Sequence, residues 1–124
     1  MFVQSWRHSP KRYVGRAESS LAELSKTPID FDSEAQMEAY KKAAGDYIAA
    51  FNNTKNPEKQ NEYMEKAIEI FKTVRQWESI VACYNKMVTV NPQNWMARGK
   101  IIDYLKTRAE SGEIGIWQHL ESNV

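Results

Sequence analysis

NPEKQNEYMEKAIEIFKTVRQWESIVACYNKMVTVNP, residues 56–92, holds two apolar stripes bracketed by Asn-Pro dipeptides. Asn56 can accept from the first free backbone N–H groups of a helix, and Pro57 suits its first turn, where no donor is needed. Tyr63, Met64, Ala67, Ile68, Phe71 and Val74 then recur at three- and four-residue intervals, the period of one helix face. A break follows at Arg75-Gln76. A second stripe, Trp77, Ile80, Val81, Tyr84, Met87 and Val88, has the same period until Asn91-Pro92 stops it. Two amphipathic helices joined by so short a break predict an antiparallel hairpin.

The flanking sequence extends the pattern. Ser33 and Gln36 form a capping-box signature, and Met37, Tyr40, Ala44, Tyr47, Ile48 and Phe51 make a stripe that ends at Asn52-Asn53. Downstream, a fourth helix is predicted from about Asn94, with Trp95, Ile101, Ile102 and Leu105 as its buried stripe and Gly112 as a left-handed cap. A short apolar segment, Ile114-Gly115-Ile116-Trp117, follows. No period-two run is long enough for a strand, so the fold class is all-α, built of antiparallel helical hairpins.

Charge divides the 124 residues unevenly. Residues 1–17 carry Arg7, Lys11, Arg12 and Arg16 and no acid, whereas the remaining 107 carry 13 basic and 16 acidic groups. Pro10 and the lack of apolar periodicity predict an extended basic arm over 1–20, a polar connector with an apolar turn at Leu21 and Leu24, and one helical domain over 21–124. Phe2, Trp6 and Tyr13 are candidate anchors in apolar grooves of a partner. Arg7, Lys11, Arg12 and Arg16 are candidate contacts to acidic protein, anionic lipid or RNA. Deleting 1–17 is then expected to leave the helical body folded. Among the tryptophans, Trp95 and Trp117 are candidate contacts of the body with another chain.

Chemistry is sparsely represented. Cys83 is the only cysteine and His8 and His119 the only histidines, so neither a disulfide framework nor a protein-built zinc site is expected. Cys83 precedes the core position Tyr84 on a helix and reads as a small buried hydrophobe rather than a nucleophile. Glu65 and Glu69 stand on an exposed helix face beside Lys66 and Lys72, as solvated or paired charges do. The glycines are scattered and form no phosphate loop. No 18-residue apolar run suggests a membrane span. The residues therefore predict no catalytic site, cofactor, metal or small-molecule substrate.

Two resemblances bear on function. Trp77–Pro92, with Phe71 before it, resembles the second helix of a tetratricopeptide repeat: Trp77 follows the interhelical turn, Tyr84 packs back, and Pro92 closes the unit. Ile80 and Met87 stand where that repeat has alanines, and Arg75 stands where it has glycine. Over a longer span, residues 67–88 resemble the central hairpin of cytochrome c oxidase subunit Va, called subunit VI in fungi. Ala67, Arg75, Trp77, Ser79, Ile80 and Val81 occupy the corresponding places. KIIDYLKTR, residues 100–108, resembles that family's last long helix, and Glu113-Ile114-Gly115-Ile116 its ELGI-type turn, with Leu120 and Glu121 in the tail. This resemblance, over 57–122 and more weakly 30–52, implies a tetratricopeptide-like right-handed superhelix. It also implies a non-catalytic accessory subunit, bound peripherally on the matrix side of the mitochondrial inner membrane to other subunits of the respiratory oxidase. Two alternatives stand beside it: a tetratricopeptide-type adaptor that captures a peptide, and a mitochondrial ribosomal or other ribonucleoprotein subunit that uses the arm on RNA.

Overall fold

The computed structural model describes residues 9–122, and within them the side chains of all but 111 and 113–122. Five helices follow in order: α1 Pro10–Leu24, α2 Glu34–Asn52, α3 Pro57–Thr73, α4 Trp77–Val90 and α5 Trp95–Ser122. The described residues contain no strand, and the all-α hairpin class read from periodicity holds. The chain forms two compact units, residues 1–74 and 75–124, and the division falls inside the expected tetratricopeptide unit.

In the first unit α2 packs against both α1 and α3. Its start is as the capping box predicts, since Ser33 Oγ accepts from the Gln36 backbone N–H at 3.2 Å. The Gln36 side chain turns elsewhere: its amide oxygen accepts from the Asp30 N–H, and its Nε2 donates to the Pro28 carbonyl at 3.0 Å. That pins the 28–33 loop to the helix it precedes. Because α2 has neighbours on two sides, its buried set is wider than one stripe and adds Ala43 and Ala50 to Tyr40, Ala44, Tyr47 and Phe51. Alanines at such positions let helix backbones approach closely. On α3, Asn56 Oδ1 accepts from the N–H groups of Glu58 and Lys59 at 3.0 and 3.3 Å.

The N-terminal segment differs from the expectation. Residues 10–24 are helical, not an extended arm and connector, and the expected boundary at residue 20 lies inside α1. Pro10 occupies the first helical turn, where it starts a helix rather than breaking one. Ala17 is completely buried, and Tyr13, Val14, Ser20, Leu21 and Leu24 are half-buried, at helical spacing. The mixed basic composition hid this stripe. Since α1 packs on α2, deleting 1–17 removes part of the core of the first unit, contrary to the sequence expectation.

The second unit is the hairpin of α4 on α5. Between the units' helices, Arg75 adopts φ 57°, the left-handed conformation that glycine adopts at little cost. The expected repeat has glycine at this position; here an arginine takes the left-handed conformation. α5 begins as expected, with Asn94 Oδ1 accepting from the Ala97 N–H at 3.1 Å. Within α5, Gly112 breaks the helical geometry at φ 68°, ψ −165°.

Candidate interaction surface

α5 has two opposed faces. At about 100° per residue, Ala97 and Tyr104 lie two turns apart on one side and Trp95 and Ile102 two turns apart on the other. Ala97 is fully buried and Tyr104 nearly so, and the Tyr104 ring stacks on Tyr84 of α4 with centroids 5.9 Å apart. Tyr84, Ile80, Cys83 and Met87 form the inner face of α4. Farther along, the Arg108 guanidinium lies 4.2 Å from the centre of the half-buried Trp77 ring.

The outer face of α5 is apolar and open to solvent. Trp95 is 72% exposed, Ile102 65%, Leu105 51% and Met96 46%. This corrects the expected buried stripe of Trp95, Ile101, Ile102 and Leu105, of which only Ile101 is even half-buried. The hairpin closes through alanine and tyrosine instead, because a small residue at 97 lets α4 approach and a ring at 104 fills the remaining space. The larger aliphatics are left outside. Trp95 and Ile102 share this side of α5 and Met96 and Leu105 stand on its two opposite flanks, so large apolar side chains meet solvent around about half of the helix, as they do at contact surfaces.

Polar groups rim this face. Arg98 lies 5.4 Å from the Trp95 ring centre and donates from Nε to the Pro92 carbonyl at 2.6 Å, which steadies the indole's flank. Beside Gly99 is a shallow recess of about 490 Å³ that Trp95, Met96 and Ile102 line together with Lys100, Asp103 and Lys106. Apart from its chain neighbours and the backbone of its own helix, no atom of the described residues lies within 4 Å of where a Gly99 Cβ would stand. Sequence reading singled out Trp95 here but missed Met96, Gly99, Ile102 and Leu105 as surface. The available signal was a glycine in a helix interior.

No family model matches the chain, and neither a curated protein nor a solved structure is similar to it.

The other expected contact residues fall in two groups. Phe2, Trp6 and Arg7 lie outside the described residues, as does the side chain of Trp117. Lys11, Arg12, Tyr13 and Arg16 are brought together on α1. Arg16 reaches Asp46 of α2 at 3.7 Å, although Asp46 is nearly buried, and lies 5.8 Å from the Tyr13 ring centre. Lys11, Arg12 and Arg16 border an open recess with Ser19, Ser20 and Lys42. On its other flank, Tyr47 lies in a second recess with Glu18 and Glu62. Burial first, then those two carboxylates, raise the Tyr47 phenol above its usual range and keep it neutral.

Cys83 is buried, and burial pushes its thiol up to about 11, against a smaller opposing pull from Lys86. A thiol so protonated is a poor nucleophile. Glu69 pairs with Lys72 at 3.7 Å on an exposed face. Among the described residues no group of three or more His, Cys, Asp or Glu could hold a metal ion, and no helix is long and apolar enough to cross a membrane.

Proposed function

We propose that this chain is a non-catalytic accessory subunit of a larger protein assembly. The observation that supports this reading is the outer side of α5, where Trp95, Met96 and Ile102 stand in solvent around the Gly99 recess and Leu105 is exposed on the flank beyond it. Aromatic and aliphatic side chains in such a cluster contribute to binding when a partner removes them from water, at about 25 cal/mol per Å². The basic face of α1 adds a second, electrostatic contact. The assembly we propose is a mitochondrial respiratory complex, cytochrome c oxidase, with this chain peripheral on the matrix side. That part rests on the resemblance of residues 57–122 to the subunit Va family. In this role the chain needs no catalytic group of its own.

The test is purification of the tagged full chain, under native conditions, from the cells that make it. Haem–copper oxidase subunits in stoichiometric amounts are the expected companions. Ribosomal proteins in their place would transfer the chain to a ribonucleoprotein. A lone monomer at physiological concentration would contradict the accessory role altogether.

A further inference from the structure

The outer face of α5, we infer, seats one amphipathic helix of a partner protein, whose apolar stripe is flanked by acidic side chains. This deepens the accessory-subunit reading and rests on it, by naming the chemistry of what covers the face. Three observations carry it.

The first is the shape of the recess. Met96, Gly99, Lys100 and Asp103 stand at i, i+3, i+4 and i+7, and so do Gly99, Ile102, Asp103 and Lys106; both quartets line the recess. Four residues so spaced outline a hole that receives one side chain of a facing helix. Two consecutive holes match two successive knobs of a partner stripe.

The second is Gly99, which belongs to both quartets. Glycine in a helix interior costs about 1 kcal/mol relative to alanine. The fold of this chain does not need it, since a Cβ at 99 meets nothing within 4 Å and the backbone there is helical. A helix that approaches closely over the recess does need it, because a side chain at 99, a corner shared by both holes, narrows each of them.

The third is the sign of the rim. Lys100 and Lys106 line the recess against one acid, Asp103, and Arg98 adds a third cation to the face beside the Trp95 ring. Two copies of this face brought together carry six cations and two acids along one seam, which disfavours self-association. A stripe flanked by Asp and Glu neutralises the same rim, so the occupant is a different, acidic helix.

The experiment places a photo-cross-linking residue at Ile102 of the full chain in its own cells and sequences the cross-linked segment by mass spectrometry. Three chains are compared: one otherwise unchanged, one with Gly99→Leu, and one with Lys100→Glu and Lys106→Glu. The expected segment has apolar residues at three- and four-residue spacing and an excess of Asp and Glu. Its yield falls by about tenfold or more in both variants, while the thermal midpoint of Gly99→Leu is unchanged or higher. The proposal is overturned by cross-links to a second copy of this chain, to lipid, or to a segment without that pattern. An undiminished yield from Gly99→Leu also overturns it. If the chain still co-purifies with its assembly in any of these cases, the accessory role survives and only the helix seat is lost.

Discussion

The same substitution, glycine to alanine, is expected to act with opposite signs at different sites in this chain. Gly15, Gly45 and Gly99 lie inside α1, α2 and α5, and a Cβ at any of them meets nothing within 4 Å. Alanine there adds no clash and removes the backbone entropy that glycine loses in a helix, a gain of about 1 kcal/mol each. For a domain of this size that raises the melting midpoint by roughly 4–8 °C per substitution. Gly112 has φ 68° and ψ −165°, a region that essentially only glycine occupies. Its Cβ also has open space, so the cost there is conformational rather than steric crowding. Alanine at 112 is therefore expected to destabilise the second unit by roughly 1–3 kcal/mol. Urea unfolding followed by far-ultraviolet circular dichroism reads all four variants on one scale. A destabilised Gly45→Ala or Gly99→Ala would refute the claim that those helix faces are empty. A stabilised Gly112→Ala would refute the break in α5.

Three further outcomes follow from the packing and the titration behaviour. Ala17→Leu, which forces a large side chain between α1 and α2, is expected to lower stability by about 1–3 kcal/mol in denaturant unfolding; no loss would place α1 off the core. Asn56→Ala removes the acceptor for two backbone N–H groups at the start of α3, and about 1 kcal/mol is expected to be lost in the same assay. Cys83 is expected to resist a thiol reagent at pH 8 until the chain unfolds. Its folded pKa lies above the unfolded value, so its contribution to stability is full below about pH 9 and declines as the pH rises toward 11. Rapid labelling of the folded chain at pH 8 would contradict its burial.

How legible the sequence was depended on where local signals and packing agreed. For α2 and α3, stripe, cap and stop all point the same way, and the Ser33 and Asn56 caps form as their residue types require; α4 is read from its stripe and its Asn-Pro stop, since Gln76 makes no side-chain cap. α1 was missed because proline has two meanings. Inside a helix it breaks the hydrogen-bond ladder; in the first turn it fits without loss, and only the half-buried stripe that follows Pro10 separates the two. On α5 the error was one of face. Ranking residues by hydrophobicity selects Trp95, Ile102 and Leu105 as core, whereas the hairpin closes through Ala97 and Tyr104, a pairing fixed by Tyr84 on the other helix. Periodicity gives the helix but cannot say which of two apolar faces a neighbour covers when both are present. The expectation of Trp95 as a contact residue came from residue type alone; the rest of the surface around it became visible only once the inner face was known.

In the proposed assembly the outer face of α5 is covered by a partner. Trp95 and Met96 are exposed in the free chain and readily oxidised, so hydroxyl-radical footprinting reports directly on them. Both are expected to be oxidised rapidly in the isolated protein and strongly protected in the natively purified assembly. Equal oxidation of Trp95 and Met96 in the two states would contradict a covered α5 face.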